Sequence, residues 1–216
     1  MKLTIIYDNE VYKKNIGLKA DWGFSCLIEK NDENILFDCG AKGKILINNM
    51  QKLGINPKNI SKIVISHEHW DHNGGLKSLI PHINSIKLYR LEKKEFDKKI
   101  KTITVKKSNM ISEGVYTTGI LTGFPVDEQS LIIKGKNGWY VLVGCSHSGV
   151  ENILEISKKY GDVLGIIGGL HGFNNFSALE ELDLICLCHC TKYKRKLKQL
   201  HPTEFIKGGV GRIINI

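Results

Sequence analysis

The stretch "ISHEHWDHNGG", residues 65–75, sets three histidines and two acids within six positions, directly behind the apolar run "KIV". Ionisable side chains crowded at the end of a buried strand are costly unless something compensates them. Surface decoration does not explain that placement; a metal ion does. Side chains alternate along an extended chain, so His67 and His69 share one side of a strand end. Asp71 and His72 then face a neighbouring position once the chain turns. Nitrogen and oxygen donors of this kind hold borderline cations at about 2.0–2.2 Å. The spacing is not that of helical His-Glu-x-x-His zinc proteases, because the fourth residue after His67 is Asp71.

Further ligands are needed, and three more histidines follow apolar runs: His147 in "VLVGCSHSG", His171 in "GIIGGLH" and His189 in "LICLCHC". Parallel strands finishing at one edge of a sheet deliver their terminal residues to one crevice. His82 and His201 lie in polar or helical contexts. In "CLCHC", a strand would put Cys186, Cys188 and Cys190 on one face, packed inward as small hydrophobes, and His189 on the other. Structural zinc sites space their cysteines by two to four residues, so the tract is not expected to form a separate thiolate cluster.

The remaining organisation reads as α/β. "KLTIIYD" alternates as a strand, and "FSCLIEK" and "ILFDCG" read as two strands joined by the polar turn "NDEN". "GKILINNMQKLGI" has helical spacing, "KIVIS" is a buried strand and "GLKSLIPHI" a short helix interrupted at Pro81. "SLIIKG" and "WYVLVG" flank a glycine-containing turn as a hairpin. "VENILEISKKYG" reads as a capped amphipathic helix, "DVLGIIGG" as a strand, "SALEELDL" as a helix and "LICLCHC" as a strand. "KYKRKLKQLHP" is a basic helix, with "TEFIKGG" and "GRIINI" as closing strands. Residues 85–130 carry no clear period. Strand–helix units in both halves favour a layered sandwich over a bundle or barrel.

At 216 residues, 42% hydrophobic and 25% charged, the chain has a globular composition, expected as one domain over 1–216. The net charge of +9 is almost all lysine, since Arg90, Arg195 and Arg212 are the only arginines. It raises an anionic substrate or nucleic acid as partner, but no basic stretch is interleaved with aromatics, which favours plain solvated lysine-rich faces; of the two partners a small anionic substrate is expected ahead of nucleic acid. The N-terminal apolar run is too short for a signal peptide or a membrane span. With no such signal, the six cysteines read as reduced thiols of a cytoplasmic protein, without disulfides.

His67, His69, Asp71 and His72 resemble the His-x-His-x-Asp-His signature of the metallo-β-lactamase superfamily. "LFDCG" resembles that family's earlier aspartate–glycine step, which makes Asp38 a residue that orients a metal ligand. "WGFSCLIE", "SHEHWDHNGGL", "DEQSLIIK", "GCSHSGVENI", "GGLHGF" and "CHCT", spread from about residue 22 to residue 191, resemble its ribofuranosylaminobenzene 5′-phosphate synthase-like (dihydropterin) subgroup. The resemblance implies an α/β fold, the four-layer αβ/βα sandwich. It also implies a metal-dependent hydrolase that uses a metal-bound hydroxide, at a mono- or dinuclear site, on an ester or phosphoester of pterin or phosphoribosyl type. A bound divalent cation lowers the pKa of water from 15.7 to about 7. One cation is then expected on His67, His69 and His147 and the other on Asp71, His72 and His189. Asp71 would also pass a proton, and His171 would line the site or substitute as a ligand. Zinc is the expected metal, and the donor types also suit iron or manganese. Trp70, Phe173 and Tyr193 are candidates for an aromatic wall.

The chain departs from the superfamily pattern in three ways. Neither "LVGCSHSGV" nor "GIIGGLHGF" supplies a bridging aspartate; Asp162 falls in a turn and Asp183 in or after a helix, leaving Cys145 or His171 for the role. "CHCT" continues as Lys192 where glycine is expected, and the middle region is short. Three alternatives follow from the residues: a nuclease acting on RNA or DNA, from the basic balance; a non-catalytic metal-binding or sensing protein, from the missing aspartate; and a redox di-iron protein.

Overall fold

The computed structural model describes residues 1–216 except 31, 32 and 97. Among the described residues, fourteen strands form two mixed seven-stranded sheets, one in each of two compact units. The first unit comprises 1–105 and 209–215, and the second comprises 106–208 with Ile216.

In the first unit the strands are β1 (Lys2–Tyr7), β2 (Ser25–Lys30), β3 (Glu33–Phe37), β4 (Ile60–Val64), β5 (Ile86–Arg90), β6 (Ile100–Thr104) and β14 (Ile213–Asn215), in the order β14-β1-β2-β3-β4-β5-β6. β14 through β3 pair antiparallel, and β3 through β6 pair parallel. Parallel neighbours require crossovers, which α1 (Gly43–Lys52) supplies between β3 and β4, and α2 (Trp70–Asn73) with α3 (Leu76–Leu79) between β4 and β5. The helical period of α1 buries Leu46 and Met50 in a core with Ile6, Leu27, Leu36, Ile63 and Leu88. It also buries Asn49, whose amide donates to the carbonyls of Ile6 and Lys19 at 2.9 and 2.8 Å.

The loops after β3 and β4 are sewn together. Cys39 N donates to His72 O at 2.7 Å and Gly75 N to Gly40 O at 3.0 Å. A Cβ on Gly75 would lie 2.1 Å from the Cys39 carbonyl oxygen, so only glycine allows this approach.

In the second unit, β7 (Lys107–Ser112), β8 (Val115–Gly119), β9 (Leu131–Lys134) and β10 (Trp139–Val143) form an antiparallel meander. β11 (Val163–Gly168), β12 (Leu184–Leu187) and β13 (Phe205–Lys207) then add in parallel to β10. α4 (Val150–Lys158) and α5 (Lys194–Leu200) contribute Ile153, Leu154 and Leu197 to a core with Val141, Val143, Ile166 and Ile185.

The two strands of "FSCLIEK–NDEN–ILFDCG" pair as expected, although Asn31 and Asp32 of their turn lie outside the described residues. Three expectations need correction. The "SALEELDL" helix is a single 3₁₀ turn, Phe176–Leu179: Leu179 and Leu182 are drawn into the core, and the segment is too short to offset the cost of helix nucleation. The "LICLCHC" strand stops at Leu187. α4 has no side-chain cap, since its N-cap is Gly149 at φ 90°. The short helix expected to be interrupted at Pro81 does end there: α3 stops at Leu79 and Pro81 lies in a following 3₁₀ turn, Ile80–His82.

The close approach at Gly75 gives the first test. Gly75→Ala is expected to lower stability by about 1–3 kcal/mol through overpacking, read as a reduced denaturation midpoint at unchanged denaturant slope.

Candidate metal centre

The centre of the first unit is Asp38, fully buried just past β3. One carboxylate oxygen accepts Ser66 N at 2.7 Å; the other accepts Ser66 Oγ at 2.8 Å and faces His72 Nδ1 at 2.7 Å. These contacts fix proton positions. A carboxylate accepts only, so His72 carries its proton on Nδ1. The single Ser66 hydroxyl proton goes to Asp38, so Ser66 Oγ accepts from His67 Nδ1, 2.8 Å away. In their neutral forms both imidazoles therefore keep their lone pairs on Nε2, the arrangement in which histidine ligates a metal while its other nitrogen is anchored.

The donor set fits a cation. His67 Nε2 and His69 Nδ1 lie 3.1 Å apart. Two nitrogens bound to one tetrahedral ion at about 2.0–2.1 Å sit about 3.3 Å apart. Asp71 Oδ2 lies 4.0 Å from His72 Nε2 and accepts the Trp22 indole N–H at 2.8 Å.

The intervening residue of the His-x-His step is anchored as firmly. Glu68 receives Arg90 Nε at 2.9 Å and is also bonded by Arg90 Nη2. Asn73 Nδ2 donates to the same carboxylate at 2.9 Å. Arg90, at the end of β5, is 2% exposed, so this fork pins the loop from beneath. Burial pushes the neighbouring Cys39 thiol well up, and the Asp38 charge adds to the effect.

In the second unit, His147, His171 and His189 follow the C-terminal ends of the adjacent parallel strands β10, β11 and β12. The rings of His147 and His171 lie 5.1 Å apart, beside a cavity of about 450 Å³ whose walls include Phe124, Ser146 and Phe173. His189 is buried, and its ligand atom lies within 4.8 Å of those of Cys145 and Cys190. Side chains lace these ends together: Ser146 Oγ donates to Gly169 O at 2.9 Å, while Thr191 Oγ donates to Cys188 O at 2.8 Å and accepts Leu170 N at 2.9 Å. Glu128 accepts both Ser148 N and Ser148 Oγ, at 2.8 and 2.7 Å, steadying the loop that carries His147. Burial raises its carboxyl above the ordinary range, against the pull of those bonds.

Four of the five non-glycine residues with left-handed backbone among the described residues are Asp38, Ser146, His171 and His189. Each lies just beyond a strand, and such conformations persist where surrounding structure holds them, typically at functional sites. His189 at φ 43° also overturns the expected alternation in "CLCHC". Cys186 and Cys188 remain neighbours, with sulfurs 4.0 Å apart in the core, but Cys190 turns away to bring its sulfur 3.3 Å from that of Cys145.

Asp162 and Asp183 precede β11 and β12 and so lie at the opposite strand ends from His171 and His189. Trp70 is exposed in the first unit, whereas Phe173 and Tyr193 belong to the second, with Phe176 edge-on between them at 6.1 and 5.9 Å. Sequence reasoning missed Trp22, Ser66, Glu68, Glu128 and Arg90 as contributors. Two of these carried a signal: Glu68 as the middle residue of the His-x-His step, and Arg90 as one of only three arginines, ending the apolar strand "IKLYR".

A family model described as the metallo-beta-lactamase superfamily matches residues 23–159. An uncharacterized protein of Methanocaldococcus jannaschii is 31% identical over 99% of this chain and 100% of its own length. The 7,8-dihydropterin-6-methyl-4-(beta-D-ribofuranosyl)-aminobenzene-5′-phosphate synthase of the same organism is 26% identical over 94% of this chain and 95% of its own. The crystal structure of Tm1679, a metal-dependent hydrolase of the beta-lactamase superfamily, superposes with a TM-score of 0.79 at 21% identity, covering 100% of this chain and 99% of that one. The α/β fold expected from the motifs is thereby shown.

The Glu68–Arg90 fork supplies the test for this region. Arg90→Met leaves a mostly buried carboxylate without its cation and is expected to cost about 3–5 kcal/mol. Adding Glu68→Leu in the same chain should recover most of that loss, as read by equilibrium denaturation.

Proposed function

The chain belongs to the metallo-β-lactamase superfamily, and we propose that it is a metal-dependent hydrolase of a small anionic ester or phosphoester. We assign His67, His69, Asp71 and His72 of the first unit and His147 and His189 of the second as its metal ligands. Two ions, zinc in the first instance, would complete the set. The observation that carries this reading is the Asp38–Ser66–His67 and Asp38–His72 hydrogen-bond system, which turns two neutral Nε2 lone pairs outward from a buried carboxylate.

When bound, a divalent cation supplies a Lewis acid and acidifies its water to a pKa of about 7. The remaining work belongs to the chain. Asp38 and Ser66 hold the imidazole tautomers. Trp22 orients Asp71, which would move a proton at its carboxylate. His171, exposed at the mouth of the 450 Å³ cavity, would meet substrate beside Phe124 and Phe173. The excess of lysine favours an anionic substrate, and the 5′-phosphate in the methanogen relative's name supports a phosphoester.

Elemental analysis of the purified chain should find at least one equivalent of transition metal, with His69→Ala lowering it, and hydrolysis on a panel of esters and phosphoesters. Metal well under one equivalent after supplementation would overturn the proposal; bound metal without turnover across the panel would leave a binding or sensing protein. Asp38→Asn, which keeps the shape but loses the charge, should weaken metal affinity by about 10–100-fold, measured by competition with a chromogenic chelator.

A further inference from the structure

The geometry points to Cys145 and Cys190 as thiolate ligands that join His189 in a site for a thiophilic divalent cation, zinc first among them. This deepens the proposed function, because it rests on His189 being a metal ligand. It adds two sulfur donors to a set otherwise made of imidazole and carboxylate.

The sulfurs lie 3.3 Å apart, and both are within 4.8 Å of a nitrogen of His189. Two thiolates on one tetrahedral zinc, at about 2.3 Å each, lie about 3.8 Å apart. A disulfide would need about 2.0 Å. Opening the pair by about half an ångström accommodates the ion, whereas closing it into a bridge requires more than an ångström, so the geometry is nearer the metal-bound arrangement.

Three local features hold the sulfurs there. Left-handed His189 rotates Cys190 off the face that buries Cys186 and Cys188. Gly169 leaves room for it, since a Cβ there would lie 2.7 Å from the Cys190 sulfur and 2.5 Å from the Gly144 carbonyl oxygen. Cys145 sits just past β10, next in the sheet to the end of β11 where Gly169 lies. Cys186 and Cys188, fully buried, behave as core hydrophobes, and Cys190 is the one partly exposed cysteine of the six.

On binding, each sulfur gives up its proton to solvent as its lone pair goes to the ion. Two thiolates and an imidazole are a donor set that also serves catalytic zinc. Soft donors select zinc over manganese or magnesium, so the metal preference of the protein would be written in Cys145 and Cys190.

The test is a cobalt(II) titration of the full chain, kept reduced with a phosphine. The expected result is a strong near-ultraviolet sulfur-to-cobalt charge-transfer band, abolished in the Cys145→Ser, Cys190→Ser double variant while weaker visible d–d bands from nitrogen and oxygen ligation persist. Visible bands without the charge-transfer band in the wild type would overturn the thiolate site and leave the proposed function standing. No cobalt binding at all would overturn both. Should the double variant fail to fold, X-ray absorption at the zinc edge of the wild type decides: a sulfur shell at about 2.3 Å supports the site, and a shell of nitrogen and oxygen alone at about 2.0–2.2 Å contradicts it.

Discussion

The buried carboxylate of Asp38 governs the candidate centre of the first unit. A charge removed from water is tolerable only when hydrogen bonds replace its hydration, and Asp38 collects a backbone N–H, a hydroxyl and an imidazole N–H within 2.8 Å. Two of those donors come from Ser66 in the loop that follows β4 and the third from His72 on α2, so satisfying the charge also places that segment. The proton order of His67 and His72 follows from the same requirement, because neither acceptor leaves a choice of tautomer. The Glu68–Arg90 fork repeats the device on the other side of the same six residues.

The second unit solves a different problem. Its three histidines arrive from adjacent parallel strands, so their convergence is a property of strand direction and order. Side-chain aim is set by backbone conformation: Ser146, His171 and His189 all adopt left-handed φ. The side-chain hydrogen bonds of Ser146 and Thr191 cross from one strand end to the next, stabilising conformations that β-carbons resist. Strain concentrated there, and not spread through the sheet, is what a preorganised site requires.

Much of this was legible in the sequence. α1 announces itself by its helical period, and β1 to β4, the β9–β10 hairpin, β11 and β12 by short apolar runs, because most of their residues are buried. The ligand histidines announce themselves by following apolar runs. Residues 85–130 were illegible because β7 is an edge strand with four of its six residues exposed, so no alternation marks it. Trp22, Ser66 and Glu128 act through contacts between residues distant in sequence or through a hydroxyl in a common "IS" step, which no local pattern reports. The turn of Cys190 toward Cys145 was hidden for a related reason: extending "LICLCHC" as a strand assumes φ near −120°, and His189 departs from it.

The central claim is that Asp38 and Ser66 hold His72 and His67 by Nδ1, so that any cation must be met through Nε2. Anomalous diffraction at the zinc edge, from crystals of the zinc-supplemented chain, tests it most directly. The account predicts a peak at about 2.0–2.1 Å from Nε2 of both residues, with Asp38 still within hydrogen-bond distance of His72 Nδ1. A peak bonded through Nδ1 of either ring, or no peak near them, would contradict it.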